Sequence, residues 1–288
     1  MSDTLQRFLF ENAGVRGEVV QLDATWRAVL DRHDYPPAVR EVLGESMAAA
    51  ALLAATLKLR GSITLQVQGS GPISLLVVEC TSARTLRGIA HWNQDVPAGD
   101  LHARFGDGRL VITVDPGEGM ERYQGIVPLE GANIAEALDT YLERSEQLAT
   151  RLWLAAGQDR AAGLLVQKLP GLAPDADAWT RVTTLSATVT PAELLELTPR
   201  EVMHRLFHEE DLRVFEPEPV SFRCSCTRER VEQMLRQLGR DEVEALLQEE
   251  GEVAVDCNFC NQHYVFDAVD AAQVFLDGTQ PHAGPTRH

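Results

Sequence analysis

The sequence predicts an α+β fold in three parts: an N-terminal mixed, largely antiparallel sheet flanked by helices, a helical linker, and a small C-terminal four-cysteine module. Three observations support this. Glycine-punctuated β-rich runs fill the first half of the chain, two helix-start signals follow, and four of the five cysteines lie in two tight pairs near the C-terminus. The predicted parts are residues 1–175, 176–222 and 223–276, followed by a disordered tail over 277–288.

The N-terminal part alternates between helix and strand signals. Residues 36–59 begin with two prolines and continue as an alanine-rich apolar run, which predicts a long helix packed closely against a sheet. Two β-rich runs joined by glycine and proline over 61–80 predict neighbouring strands, and TLRGIAHW, LHARFG and GRLVITVD predict further strands. A second helix is predicted over 133–148, and the runs that begin at Thr150 and Ala161 predict two closing strands.

The linker carries the same helix-start signal twice. Thr190 and Thr198 are each followed by proline at the first helical position and glutamate at the third, which is the pattern of a capping box. Helices this short are marginal in water, so we expect them to persist only while their apolar residues are packed. Those residues are Leu194, Leu195, Val202, Met203, Leu206 and Phe207. Alternating glutamate and proline over 216–219 then favours an extended conformation.

The cysteines form the pattern Cys224-x-Cys226, thirty intervening residues, and Cys257-x-x-Cys260. Four thiolates in two close pairs suit a tetrahedral zinc ion. The alternating runs EVAVD and QHYVF predict a hairpin with the second pair on its turn, and two short helices are predicted between the pairs. The fifth cysteine, Cys80, follows a predicted strand and is expected to be a buried structural thiol.

Several uses of the paired cysteines remain open from the residues alone. A thioredoxin-like redox pair normally opens a helix, whereas a strand is predicted after Cys260. An iron–sulfur cluster also takes four thiolates, but this spacing matches none of the ferredoxin patterns. A permanently closed structural zinc site is the simplest interpretation. A reversible switch is also physically permitted, because a module of about 50 residues depends on its metal for stability, and oxidation converts thiolates into disulfides.

Charge and composition argue against several classes of function. Residues 1–200 carry 18 basic and 25 acidic groups (−7) and residues 201–288 carry 8 and 18 (−10), so the basic surface that nucleic-acid binding requires is missing. Neither of the two lysines, Lys58 and Lys168, lies in the Gly-Lys-Ser/Thr sequence of an ATP-binding phosphate loop. No signal peptide or membrane span is predicted, and we expect a cytoplasmic location, where thiols stay reduced.

Longer motifs from both halves of the chain resemble one known family. The C-terminal motifs are RLFHEEDLRVFEPEPVSFRCSCTRERVEQML and DCNFCNQHYVFD. The N-terminal motifs are MAAAALLAATLKLRGSITLQVQGSGPISLLVVEC, YQGIVPLEG and YLERSEQL. Together they closely resemble the redox-regulated 33 kDa heat-shock chaperone family over nearly the whole chain.

The resemblance implies a holdase that works without ATP and is not an enzyme. It implies an inactive reduced state that binds one zinc ion through Cys224, Cys226, Cys257 and Cys260. Oxidative stress would release the metal, form Cys224–Cys226 and Cys257–Cys260 disulfides and unfold the linker, which would expose its apolar residues to unfolding client proteins. The family's active form is commonly a homodimer. Two alternatives stay open: a constitutive zinc-stabilised interaction protein, and a disulfide oxidoreductase that uses Cys257 and Cys260.

Overall fold

The computed structural model of the chain describes residues 3–56, 61–93, 95–117, 119–145, 148–171 and 175–276. The tail predicted to be disordered and the last residues of the predicted helix over 36–59 lie outside these stretches. The chain divides into two units between Arg223 and Cys224.

Two six-stranded sheets form the framework of the N-terminal unit. Their strands are β1 (Thr4–Phe10), β2 (Val15–Leu22), β3 (Ser62–Gly69), β4 (Ile73–Thr81), β5 (Thr85–Trp92), β6 (Gly108–Asp115), β7 (Tyr123–Pro128), β8 (Thr150–Ala156), β9 (Ala161–Lys168), β10 (Leu212–Val214), β11 (Glu218–Pro219) and β12 (Ser221–Phe222). The first sheet has the order β10-β1-β2-β9-β8, with β11 also paired to β1, and is antiparallel throughout. The second has the order β12-β5-β4-β3-β6-β7, and only its β12–β5 pair is parallel. The predicted mixed, largely antiparallel character is confirmed, although the strands divide between two sheets.

Helices of the described N-terminal unit are α1 (Ala24–Leu30), α2 (Pro37–Thr56), α3 (Leu101–Phe105), α4 (Ile134–Ser145), α5 (Ala178–Ser186), α6 (Pro191–Glu196) and α7 (Pro199–Phe207). The prediction of a strand over LHARFG is wrong, because this stretch forms α3. The Asp100 side chain accepts a hydrogen bond from the Ala103 N–H at 2.8 Å and caps the helix. Leu101 and Phe105, four residues apart, are buried on one helix face.

Helix α2 is the centre of the larger core and packs against strands of both sheets. Its alanine-rich stretch from Ala48 to Ala51 is fully buried, which confirms the close packing predicted for this helix. Small side chains let the two sheets approach the helix. At Gly44 an added Cβ would lie 2.5 Å from the Ala156 Cβ, so this position has no room for a larger residue.

The C-terminal unit consists of one hairpin and three helices among its described residues. These are α8 (Arg228–Leu238), α9 (Arg240–Glu250), β13 (Val253–Asp256), β14 (His263–Phe266) and α10 (Ala268–Leu276). The predicted hairpin and the two predicted helices between the cysteine pairs are confirmed, whereas α10 was not predicted. Within the described part of the chain, no helix has both the length and the apolarity needed to cross a membrane.

Candidate metal centre

Two segments of the C-terminal unit carry the paired cysteines. Cys224 and Cys226 lie just before α8, and Cys257 and Cys260 lie on the tight turn between β13 and β14. In that turn the Cys260 and Asn261 N–H groups both donate hydrogen bonds to the Cys257 carbonyl, at 3.2 and 2.7 Å. Asn261 has φ 56°, a left-handed conformation that asparagine tolerates, and it directs the chain back into β14. The hairpin turn predicted for the second pair is therefore present.

The four sulfur atoms form one cluster. All four Sγ atoms lie within 4.8 Å of one another, with 3.6 Å between Cys224 and Cys257 and 3.3 Å between Cys226 and Cys260. A tetrahedral zinc ion with Zn–S bonds of about 2.3 Å holds its sulfurs about 3.8 Å apart. The donor atoms therefore fit a single zinc ion and are too close together to surround a multi-iron cluster. Elsewhere in the described stretches, no group of three or more His, Cys, Asp or Glu side chains is placed to hold a metal ion.

The ionisation of the cluster also favours a cation. Burial opposes charge on Cys224, but hydrogen bonds from the Cys226 backbone N–H and from the neighbouring thiols outweigh it and lower the pKa of Cys224 to about 7. Burial is the largest cause of the raised pKa values of Cys257 and Cys260, and hydrogen bonds among the thiols add to it, whereas backbone N–H groups act in the opposite direction. One thiolate therefore forms readily, whereas four adjacent thiolates need a cation that offsets their repulsion.

Two side chains of β14 lie beside the cluster. The Tyr264 hydroxyl donates a hydrogen bond to the Cys226 Sγ at 3.3 Å, and this bond raises the pKa of Tyr264 to about 12. The His263 ring is turned to the exposed Asp256 carboxylate, with Nδ1 2.7 Å from Oδ1, so His263 is engaged outside the cluster. Sequence patterns give no signal for the tyrosine contact, because it depends on how β14 is turned relative to the first cysteine pair.

The core of the C-terminal unit is small. Its buried apolar residues are Val231, Leu235, Val243, Val253, Phe266, Ala271 and Val274. The Arg228 guanidinium lies 4.2 Å from the centre of the Phe266 ring, and it donates a hydrogen bond to the Val265 carbonyl at 3.0 Å. These contacts tie α8 to β14. A core of this size supplies little net stability after the entropy of folding is counted, so the fold needs a further cross-link.

In the N-terminal unit, helices α5 to α7 pack on the face of the first sheet that is turned away from α2. Of the apolar residues singled out in the linker, Leu195 is half-buried and the others are buried, namely Leu194, Val202, Met203, Leu206 and Phe207. The Phe207 ring centre lies 4.9 Å from that of Phe10 and 5.7 Å from that of Phe8. Both predicted capping boxes are present, at Thr190 and Thr198.

Polar side chains of the body hold the end of α6 through its backbone. Gln21 Nε2 donates hydrogen bonds to the carbonyls of Leu194, at 3.3 Å, and of Leu197. Arg160 Nη1 donates to the Leu195 carbonyl at 2.5 Å. These bonds satisfy carbonyls that a helix end leaves without intrahelical partners. They connect the linker to β2 and to the β8–β9 turn, and no local sequence pattern points to them.

An ion-pair group holds the end of the linker. Glu218 of β11 lies 2.5 Å from Arg7 Nη2 and 3.1 Å from Arg84 Nε. Glu18 of β2 is buried beside the same arginines, and among the described residues its Oε2 has no hydrogen-bond partner. Burial raises the pKa of Glu18 to about 7, although Arg16, Arg84 and Arg7 act in the opposite direction.

Cys80 lies in β4, far along the chain from the cluster, and is fully buried. Burial raises the pKa of its thiol to about 12, so it stays protonated and poorly reactive at neutral pH. The expectation that this thiol is buried is confirmed.

Comparison with known proteins places the chain in a family. A model of the Hsp33 protein family matches residues 3–267. The chain is 54% identical over 286 residues to the 33 kDa chaperonin of Nitrosococcus oceani, covering 99% of each chain, and 49% identical to that of Methylobacillus flagellatus, covering 100% of this chain and 99% of the relative. The crystal structure of the 33 kDa chaperonin of Thermotoga maritima matches with a TM-score of 0.84 and 25% identity, covering 96% of this chain and 98% of that one. The chain therefore belongs to the Hsp33 family of redox-regulated chaperones, which are not enzymes.

Proposed function

We propose that this chain is an ATP-independent holdase that is inactive while Cys224, Cys226, Cys257 and Cys260 are reduced and becomes active when they are oxidised. The observation that best supports this is the assembly of two tight cysteine pairs into one cluster of four sulfurs within 4.8 Å. The same cluster lies in a unit whose apolar core is too small to be safely stable alone. Loss of the sulfur ligands and loss of the fold are therefore coupled.

In the reduced state the four sulfurs would hold one zinc ion. Bound there, zinc supplies a cross-link and a positive charge, and in small peptides such sites contribute roughly 10–16 kcal/mol of apparent binding energy. Cys224 and Cys226 would contribute the segment before α8, and Cys257 and Cys260 the β13–β14 turn. The hydrogen bond from Tyr264 would withdraw charge from the Cys226 sulfur and help to fix its position.

Oxidation removes the ligands chemically. A thiolate attacks one oxygen of hydrogen peroxide, so that the O–O bond breaks, a sulfenic acid forms and hydroxide leaves to become water once protonated. A second thiol then attacks the sulfenic sulfur and displaces another water to form the disulfide. Each disulfide therefore consumes one peroxide and two thiols and yields two waters. The pairing Cys224–Cys226 and Cys257–Cys260 follows from the family resemblance. Because sulfur contacts of 3.6 and 3.3 Å also join the pairs crosswise, disulfide mapping is part of the test.

The linker is the element that this change would release. We divide the chain into a body over 1–175, the linker over 176–222 and the cysteine module over 223–276. Strand β12 ends at Phe222, two residues before Cys224, so the linker continues directly into the cysteine module, and unfolding around the cysteines would loosen the C-terminal end of the linker. Helices α6 and α7 have six and nine residues and are marginal when undocked. Their release would expose the surface that we assign to clients: Leu194, Leu195, Val202, Met203, Leu206 and Phe207.

We infer the binding partners from the apolar residues of the linker. Unfolding proteins expose apolar segments, and an apolar linker that has lost its own packing partner binds such segments without ATP. We assign the chaperone to the cytoplasm, where thiols stay reduced, and we assign its active form to a homodimer from the family resemblance. The acidic composition, with a net charge of −17, argues against nucleic acid as a partner.

The test treats reduced, zinc-loaded protein with hydrogen peroxide at mild heat. Zinc release is followed with a chromogenic chelator, disulfides are mapped by mass spectrometry, and light scattering of a heat-unfolding client enzyme reports holdase activity without ATP. We expect zinc loss, two intramolecular disulfides and suppressed aggregation to appear together. Cys80→Ala is the matched control and should switch normally, because Cys80 is fully buried in β4 of the N-terminal unit and is not one of the four clustered cysteines.

Two outcomes would contradict the proposal. Zinc retention with no gain of activity would identify a constitutive zinc-stabilised interaction protein. Catalytic turnover of disulfides in a substrate protein would identify an oxidoreductase that uses Cys257 and Cys260.

A further inference from the structure

A cavity of about 300 Å³ lies between the body and the docked linker, within the N-terminal unit. Its walls come from α2, α4, β8 and the start of α6. The lining combines three acidic side chains and one arginine with apolar side chains from both the body and the linker. The lining residues that matter here are Glu45, Glu136, Asp139, Arg151, Leu154 and Leu194.

Glu45 is the unusual group in this cavity. It is only 9% exposed, and it makes no hydrogen bond or ion pair with any residue in the described part of the chain. Buried carboxylates are normally paired, because an unpaired charge in a protein interior is costly. Burial, with a smaller contribution from Glu41, raises the pKa of Glu45 to about 7, and Arg104 offsets only part of this. The Glu45 carboxylate therefore lines the cavity without forming an ion pair with any described residue.

Asp139 has a hydrogen-bond partner for only one of its two carboxylate oxygens among the described residues. Its Oδ1 accepts the Leu152 N–H at 3.0 Å, but the Arg151 Nε is 3.9 Å from Oδ2. The same arginine lies closer to Glu143, with Nη1 3.3 Å from the carboxylate oxygen. Burial raises the pKa of Asp139 to about 7 despite Arg151 and the Leu152 N–H. The arginine in the wall is thus shared, and the cavity keeps an excess of acidic groups.

We propose that this cavity binds a small organic cation, a primary diamine with an apolar spacer. Its ammonium groups would pair with Glu45 and Asp139, and its methylenes would contact Leu154 and Leu194. A metal ion is a poorer fit, because these carboxylates do not belong to any metal-binding group among the described residues. The volume lies at the lower end for ligand pockets, which suits a compact molecule.

A molecule bound in this cavity would also stabilise the docked state of the linker. Because Leu194 belongs to α6 and Glu45 to α2, one bound molecule contacts both the linker and the body. A ligand that binds only the docked state stabilises that state in proportion to its occupancy. A diamine would therefore slow opening of the linker, and its effect on activation rests on the proposed function.

Calorimetric titration of cadaverine into the reduced, zinc-loaded full chain at pH 8 tests the site, with 1,5-pentanediol as the uncharged probe. We expect saturable binding of one cadaverine and none of the diol. Glu45→Gln should weaken binding at least tenfold. The control Asp107→Asn removes a carboxylate whose side chain is 98% exposed, and it should change the affinity less than twofold.

A second readout needs no variant. Nuclear Overhauser contacts are expected between the cadaverine methylenes and the Leu194 methyl groups. Absence of saturable binding, equal binding of the diol, or equal weakening by Asp107→Asn would overturn the site. Because neither measurement uses a client or an oxidant, a failure here is distinct from a failure of the proposed function.

Discussion

The Phe207 ring provides a direct test of whether packing of the linker keeps the chaperone closed. The side chain is 1% exposed and packs against the Phe8 and Phe10 rings on the first sheet. Truncation of a buried phenylalanine to alanine typically costs about 3–5 kcal/mol. Helix α7 has little stability of its own, so we expect Phe207→Ala to lower the free energy of linker opening by about that amount. Each 1.4 kcal/mol changes the equilibrium constant for linker opening tenfold, so the open fraction should rise about 100- to 4,000-fold.

Hydrogen exchange followed by mass spectrometry on the reduced protein measures this opening. Peptides that cover 190–207 should lose protection by the stated factor in Phe207→Ala, while strands of the second sheet keep theirs. Holdase activity should also appear under reducing conditions. Phe215→Ala is the matched control, because that ring is 43% exposed, and it should change exchange little. Unchanged protection of α7 in a folded Phe207→Ala protein, or an equal loss in Phe215→Ala, would refute the reasoning.

Three further predictions concern the caps, a buried acid and the cysteines. Thr198→Ala should cost about 1 kcal/mol of linker stability and speed exchange in α7 severalfold, and an unchanged rate would show that the capping box contributes nothing. The pKa of Glu18 is raised from 4.5 to about 7, so the folded state holds this proton more tightly than the unfolded state does. The resulting contribution to the free energy of unfolding is fully present below about pH 4.5 and is lost as the pH rises through 7. In urea titrations the free energy of unfolding of Glu18→Gln should therefore rise by about 3 kcal/mol relative to that of wild type between pH 4.5 and pH 8. A difference between the two proteins that stays constant with pH would contradict the raised pKa of Glu18. Cys226→Ser should lose zinc and the fold of residues 224–276 and release the linker over 176–222, while the body over 1–175 stays folded, as read by nuclear magnetic resonance, and a native-like spectrum without metal would contradict the need for a cross-link.

Local features of this fold could be predicted from the sequence because their causes are local. The capping boxes at Thr190 and Thr198 depend on side chains three residues apart, and both are present. The hairpin that carries Cys257 and Cys260 follows from alternation on either side of a short turn. No local pattern predicts that the two cysteine pairs lie together. That prediction comes from chemistry, because four thiolates in two close pairs suit a single metal ion.

Long-range features were not accessible in the same way. The division of the strands into two sheets depends on β2 pairing with β9, from opposite ends of the N-terminal unit. Period and composition cannot specify such a pairing, because each strand offers the same alternation to many partners. The contacts of Gln21 and Arg160 with the α6 carbonyls, and of Tyr264 with the Cys226 sulfur, are also long-range polar contacts without a motif.

Pulse-labelling hydrogen exchange during oxidation can show whether the reduced cysteine cluster holds the linker docked. Reduced, zinc-loaded protein is mixed with peroxide at mild heat, and aliquots are labelled briefly while released zinc and holdase activity are read from the same samples. If the cluster holds the linker docked, peptides over 190–207 lose protection with the same time course as zinc release, and activity follows. Activity that rises while those peptides stay protected and zinc stays bound would contradict it.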